Sequence, residues 1–363
     1  MKQSGSLDRT GRQIGGRVTA KSATIEDVAT RVGVSIMTVS RAMRGVEGVS
    51  AARRAQILRV ARDIGYTPNR NAGLLAGQGS TLIGISLPTL FDDVFAEILD
   101  GMRGAFDLAG FDTVIDTTDY CAKREAGWVD RMLAWRPAGL ILSGVHHSRG
   151  VRRRLKASGI PILEIWDYSD DPIDLCVGID HEAAGYLVGR HLAGLGYRKP
   201  AYVGTSIGRD MRAEERLGGY KRAFAEMGIH HVREVRAKHH TSFKTGLAGT
   251  LSLIGGSLPA DAIFYLNDHM AFGGLAACRR RGLDAPHDIG IVGFNGLGIN
   301  SVLPRPLTTV VTPRALMGAM GARYLIARIN GVRTERRTAM PVKLFPGATT
   351  RQVCPAAGVA TEN

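Results

Sequence analysis

Residues 24–45, TIEDVATRVGVSIMTVSRAMRG, constrain this chain more than any other stretch. They spell two short helices joined by a tight glycine turn, the layout of a helix-turn-helix. Thr24 opens the first helix with Asp27 three residues on, a pair that satisfies orphan backbone N–H groups. Ile25, Val28, Ala29 and Val32 recur at helical spacing and predict one buried face. Gly33 breaks that helix, Ser35 is placed to cap the second, and Gly45 ends it. Val39 and Ala42 face inward. Ile36, Met37, Ser40 and Arg41 are left on an outward face near the N-terminus, the end such a helix offers to base edges. Ser50 opens a third helix, whose Ile57, Val60, Ala61 and Ile64 close a three-helix core before Gly65 stops it.

Charge follows the same division. Residues 1–80 hold thirteen Lys/Arg against five Asp/Glu, +8 of the formal net charge of +14 carried by all 363 residues. Positive charge is thus concentrated where phosphates would be met. Residues 1–22 are polar and basic (Lys2, Arg9, Arg12, Arg17, Lys21) and read as a disordered tail. The four cysteines, Cys121, Cys176, Cys278 and Cys354, are widely spaced with no C-x-x-C. That argues against a disulfide scaffold and a structural zinc site and fits a cytoplasmic protein. No run of 18 apolar residues and no secretory apolar core is present, so a membrane is not an expected partner.

From Thr81 short apolar runs alternate with helical stretches: LIGISLP, a helix over roughly Val94–Ala109, FDTVIDTT, AGLILSG, IPILEIW and DLCVGID. The theme repeats with PAYVG, a helix over Arg216–Met227, VREVRA, DAIFYLN, DIGIVGF and LTTVV. Strands alternating with helices mean βαβ units and parallel sheets, and this many strands predict two sheets. Ligands of open α/β sheets lie beyond the carboxyl ends of the strands, which directs attention to Phe91, Trp166, Asp180, Asn267, Asp268, Asn295 and Arg314.

VGVSIMTVSRAMRG, Val49-Ser50, GYTPNRNA and LLAG match, in order and spacing, the N-terminal pattern of the LacI/GalR family, which this chain resembles as far as about residue 350. The resemblance implies a helix-turn-helix domain at 23–68, a hinge helix and linker at 69–80, and a two-lobed periplasmic-binding-protein-like effector domain at 81–350. Lobe 1 would take about 81–180 plus 312–332, and lobe 2 about 181–308 plus 333–350. It further implies a homodimer on double-stranded, pseudo-palindromic operator DNA, with affinity modulated by a small effector. Thr24, Ser35, Ile36, Met37, Thr38, Ser40 and Arg41 fall in the DNA-contacting segment, and Asn69, Arg70, Ala72 and Leu75 in the hinge, where Leu75 matches the minor-groove wedge. Ile36 and Met37 are apolar and so read thymine methyls or shape rather than hydrogen-bonding bases. Gly73 weakens the hinge helix.

In the second part, Arg216 in ERLGGY resembles the family's effector-binding arginine, and Asn267-Asp268 its Asn/Asp pair. Asn295 stands where many members carry an aspartate, and Arg314 where sugar-specific members often carry an aromatic residue. Losing a carboxylate and gaining a guanidinium favours an anionic ligand. Within the family the wording is most like gluconate-type repressors. A sugar acid such as gluconate is therefore the expected effector, with Arg216 and Arg314 on its carboxylate and Asn267 and Asn295 on its hydroxyls. A neutral sugar or nucleoside is the alternative, and a sugar-binding protein without regulatory role is the less favoured one. The plainer reading of Asp180 and Asp268 is a helix cap, and of Arg216 a surface ion pair. The histidine pairs 146–147, 230–231 and 239–240 read as surface residues. No nucleophile elbow, P-loop or G-x-G-x-x-G after a strand is present, so neither an enzyme nor a cofactor is expected. No leucine heptad follows residue 330, so the expected oligomer is a dimer without a tetramerising tail.

Overall fold

The computed structural model describes residues 23–67, 79–91, 93–206, 210–237, 242–255 and 258–352. The tail over 1–22 and the hinge residues Asn69, Arg70, Ala72 and Leu75 lie outside the described residues. The chain divides into two compact units at residues 79/80.

The first unit is three helices: α1 (Ile25–Val32), α2 (Ile36–Arg44) and α3 (Ala51–Asp63). Thr24 and Asp27 form a reciprocal capping box, and Ser35 and Ser50 each accept an N–H of their helix's first turn. Gly33 and Gly45 adopt the left-handed conformation that ends α1 and α2. Val28, Ala29, Val32, Val39, Ala42, Ile57 and Ala61 are buried together, with Val60 and Ile64 packed at the margin. Each fully buried aliphatic side chain contributes about 1.5–3 kcal/mol, so a core this small leaves the unit modestly stable.

The second unit holds two six-stranded sheets. Along the chain come β1 (Leu82–Leu87), α4 (Asp93–Ala109), β2 (Asp112–Thr117), α5 (Ala122–Ala134), β3 (Gly139–Ser143), α6 (Arg149–Ser158), β4 (Ile162–Asp167) and β5 (Leu175–Ile179). Then follow α7 (His181–Gly194), β6 (Pro200–Thr205), α8 (Met211–Ala225), β7 (Arg233–Ala237), α9 (Phe243–Ile254), β8 (Ala262–Tyr265), α10 (Asp268–Arg280), β9 (Gly290–Asn295) and β10 (Thr308–Val311). Last are α11 (Arg314–Ile329), β11 (Arg337–Ala339) and β12 (Lys343–Phe345). The first sheet has the order β11-β5-β4-β3-β1-β2 and the second β12-β10-β9-β8-β6-β7. Every strand pair is parallel except β10 with β12. Strands such as β4, β5, β6 and β9 are buried along their whole length, as parallel strands covered on both faces must be.

The chain passes between the sheets three times: after β5, after β10, and between β11 and β12. The last passage differs from the sequence expectation, which gave all of 333–350 to the second lobe. Arg337–Ala339 instead pairs in parallel with β5. That three-residue edge strand is only partly buried and carries no apolar alternation, so the sequence held no sign of it. Helix α8 also begins at Met211, five residues before the expected Arg216, because buried Arg212 and Ala213 already belong to its inward face.

One helix crossing sets up the site. A Cβ on Gly101 of α4 would lie 2.1 Å from the Ala315 carbonyl of α11, and a Cβ on Gly318 would lie 2.1 Å from the Ile98 carbonyl. Only glycine allows backbones this close. The residues one turn earlier on each helix, Glu97 and Arg314, are thereby brought side to side.

Candidate functional site

On the first unit the outward face of α2 is open. Met37 is 61% exposed, Ile36 46%, and Arg41 is exposed with no ion pair among the described residues. Ser40 and Thr38 are half-buried beside them. Thr24, Ser35 and Thr38 are already engaged at helix starts: Ser35 Oγ lies 2.9 Å from Thr38 Oγ1, and Thr24 Oγ1 donates to Asp27 at 2.8 Å. A positive helix face with protruding apolar side chains suits a DNA groove.

The second unit gathers its polar residues where strands end. Arg212 and Arg216, one turn apart on α8, point the same way and are both buried. Arg212 reaches across to the first sheet, donating to Ser143 Oγ at 3.3 Å and pairing with Asp167 at 3.6 Å, while its Nε donates to Asp210 at 2.9 Å. Burial works against the Arg212 charge, but the two aspartates hold its pKa above the usual arginine value. Asp167, whose burial alone would raise it, is kept below the usual carboxylate range by Arg212 and His181.

Arg216 is placed differently. Its Nη1 meets His181 Nδ1 at 2.9 Å, and His181 Nε2 meets Asp167 at 3.2 Å. Burial depresses the His181 pKa, so its Nδ1 lone pair accepts from Arg216 while Nε2–H donates to Asp167. The guanidinium lies 4.4 Å over the Phe294 ring. Its Nε is buried with no hydrogen-bond partner, and among the described residues Arg216 makes no ion pair. Asp210 acts on it only through space, and a buried cation with no carboxylate bonded to it is costly unless a ligand supplies one.

Beside Arg212 lies a cavity of about 190 Å³, lined by residues at the strand ends of the first sheet, among them Pro88, Thr118, Ser143, His146 and Asp167, and by Asp210 and Met211 at the start of α8. Its wall holds a buried charge cluster. His147, its side chain 2% exposed, lies 2.8 Å from Glu125 and 3.5 Å from Glu164. Burial opposes its charge, but the two glutamates outweigh that and lift it to about 9. The expectation of a surface residue fails for His147 because Glu164, itself fully buried and accepting the Ile173 N–H at 2.5 Å, needs a cationic partner inside the fold. His146 is the exposed member of the pair, 2.8 Å from Glu215.

The sequence-predicted residues scatter over several roles, and none lines that cavity. Arg216 and Trp166 are buried in one cluster, with the Trp166 ring edge-on to His181 at 5.8 Å and to Phe95 at 6.3 Å. Asn295 is 4% exposed with Oδ1 buried and unpartnered. Both Trp166 (φ 85°) and Asn295 (φ 112°) hold left-handed backbone at strand ends, strain of about 1–3 kcal/mol each. Asn267 and Asp180 cap helices, accepting the N–H of Met270 at 3.0 Å and of Ala183 at 2.8 Å. Asp268 is fully buried and accepts from Thr309 Oγ1 and Leu297 N; burial outweighs those bonds and raises it to about 6. The side chain of Phe91 is fully exposed.

Arg314, expected to hold a carboxylate of the effector, is engaged within the protein. Nε and Nη2 donate to the two oxygens of Glu97, each at 2.9 Å; Nη1 donates to Thr312 Oγ1 at 2.8 Å and to the Asn295 carbonyl; Nη2 also donates to the Gly296 carbonyl at 3.3 Å. All five guanidinium donors are spent. Sequence reasoning missed Arg212 and Asp167. The i, i+4 spacing of Arg212 to Arg216 was the available signal.

A basic helix-turn-helix unit joined to a two-sheet unit with a polar cleft at its strand ends defines a class: transcriptional regulators that couple DNA reading to a ligand-binding fold. Residues 24–69 match the model for bacterial regulatory proteins of the lacI family, and residues 190–350 that for a periplasmic binding protein-like domain. The regulator GntR of Escherichia coli (strain K12) is 34% identical over 330 residues, 91% of this chain and 99% of the relative. The regulator IdnR of the same organism is 31% identical, covering 84% and 91%. Among solved structures, a LacI-family regulator from Silicibacter pomeroyi superposes with a TM-score of 0.86 at 34% identity, covering 91% of this chain and all of that one. The lac repressor dimer bound to operator and the anti-inducer ONPF gives a TM-score of 0.77 at 27% identity, covering 91% and 99%. This chain belongs to the LacI family of transcriptional regulators. Its relatives are DNA-binding regulators, not enzymes, and it is a regulator of the same kind. No helix among the described residues is long and apolar enough to cross a membrane.

Proposed function

We propose that this protein is a sugar-acid-responsive repressor that binds a pseudo-palindromic operator as a homodimer. The observation that carries the effector class is Arg216: a buried guanidinium with a neutral histidine and an aromatic face for company, and no carboxylate in hydrogen-bond contact among the described residues. An aldonate such as gluconate supplies that carboxylate. Its hydroxyls meet Asn295 Oδ1 and the Asp167–Arg212–Ser143 group. The similarity to GntR and IdnR supports the same class. Arg314, with every donor engaged, has no part in gripping the acid.

On the DNA side, Ile36, Met37, Ser40 and Arg41 read the major groove, with Thr24, Ser35 and Thr38 at the phosphates. Asn69, Arg70, Ala72 and Leu75 form the hinge contact. The effector shifts DNA affinity by its differential affinity for the two states, typically about 1–3 kcal/mol.

Fluorescence anisotropy of the purified protein on DNA from its own upstream region, with and without gluconate, tests this reading. Isothermal titration with aldonates and neutral sugars runs alongside. Salt-dependent, saturable DNA binding that gluconate weakens is expected. Tight binding of a neutral sugar with no aldonate binding overturns the effector class.

A further inference from the structure

We infer that Glu97 and Arg314 are a positioning pair: they touch no ligand, and they hold Asn295 so that its side-chain oxygen is offered to an effector hydroxyl. The inference rests on the reading of the cleft as an effector site and adds to it a determinant of specificity outside the ligand's contacts.

The segment Asn295–Leu297 is clamped from two sides. Arg314 takes the carbonyls of Asn295 and Gly296. Asp268 takes the N–H of Leu297 at 2.8 Å, and also the hydroxyl of Thr309 at 2.6 Å, which in turn receives the N–H of Gly296 at 3.3 Å. The Asn295 carbonyl is further met by the Thr312 hydroxyl at 3.3 Å. Clamping is needed because Asn295 sits at φ 112°, a conformation that a residue with a Cβ adopts only when its surroundings impose it. The consequence is specific: Asn295 Oδ1 is buried and has no hydrogen-bond partner among the described residues.

Glu97 is what fixes Arg314. The fork-on-fork pair at 2.9 Å and 2.9 Å sets the guanidinium plane, and that plane aims the remaining donors at the Asn295 and Gly296 carbonyls. The backbone holds the pair in register. Glu97 and Arg314 each lie one turn before a glycine of the α4–α11 crossing, so the two helices cannot slide without a clash. A carboxamide oxygen accepts and cannot donate, so Asn295 Oδ1 takes a hydroxyl or N–H of the ligand. The acid end goes to Arg216, whose buried Nε has no partner.

The test is a double-mutant cycle on the full-length protein, with Glu97→Gln, Asn295→Ala and the double variant. Gluconate Kd is read by isothermal titration, operator Kd by anisotropy without effector, and hydrogen exchange over residues 290–300 in the ligand-free protein. Glu97→Gln is expected to raise the gluconate Kd about 10-fold, leave the effector-free operator Kd unchanged, and speed exchange at the amides of 296 and 297. The double variant is expected to bind gluconate no worse than Asn295→Ala alone. Losses that simply add, or an unchanged gluconate Kd in Glu97→Gln, overturn the inference. A wild-type protein that binds no aldonate refutes the effector reading by itself. The positioning pair is then decided by exchange alone: faster exchange in Glu97→Gln upholds it, and unchanged exchange overturns it. Arg314→Lys, which keeps the charge and loses the fork, is expected to match Glu97→Gln in exchange; wild-type exchange in that variant also counts against the pair.

Discussion

In the helix-turn-helix unit, three of the residues proposed to meet DNA stand out in solvent: Met37 is 61% and Ile36 46% exposed, and Arg41 is exposed with no ion pair among the described residues. In the two-sheet unit, the polar residues at the strand ends are sealed in: Arg216, Asn295 and Arg314 are each 4% exposed. The first arrangement leaves its cost of contact to be met by the DNA phosphates. The second has already desolvated its charges and depends on internal partners, so one missing partner is informative. Arg314 has five acceptors for five donors and is structural; Arg216 has a donor to spare and is the place for a ligand.

The sharpest way to break this division is Arg216→Ala. Removing a buried charge that pairs with a ligand is expected to cost about 2–5 kcal/mol of gluconate affinity, with effector-free operator binding intact. Titration calorimetry and anisotropy check the two halves, and loss of DNA binding as well would mean that Arg216 is structural too. Next is the pH dependence that His147 gives the two-sheet unit. Its folded pKa of about 9 exceeds the unfolded value of about 6.5. The stability it contributes, on the order of 3 kcal/mol, is full below pH 6.5 and lost as pH rises through 9. Urea unfolding from pH 6 to 10 should show this, and His147→Gln should flatten the profile. A slope of the opposite sign would show that the histidine is neutral in the fold.

Smaller effects belong to the first unit. Arg41→Ala should weaken operator binding by about 1–3 kcal/mol, leaving the melting temperature unchanged, because its exposed side chain makes no hydrogen bond or ion pair among the described residues. Anisotropy together with calorimetry would show whether binding and stability separate there. Thr24→Ala should remove about 1 kcal/mol of helix stability and shift only the unfolding of residues 23–67, followed by hydrogen exchange.

Local order was legible because its causes are local. Thr24 with Asp27, Ser35, Gly33 and Gly45 are caps and stops whose partners lie within four residues, and the structure places each in that role. Ten runs became ten strands, and those in the middle of the sheets were the plainest, because a strand buried on both faces has to be apolar throughout; β2 and β7, at the sheet edges, are only partly buried. The edge strands β11 and β12, three residues each and half-exposed, escaped notice since nothing about them is apolar enough to mark.

The sequence by itself determined the two-unit plan, the helix-turn-helix, and that Arg216 lies in a helix and Asn295 at a strand end. Only the tertiary structure decided which guanidinium is spent and which is unmatched. Glu97 lies 217 residues from Arg314, and Asp167 reaches Arg216 only through His181. A charge is free or paired according to what the fold brings within 3 Å of it, and no spacing along the chain encodes that.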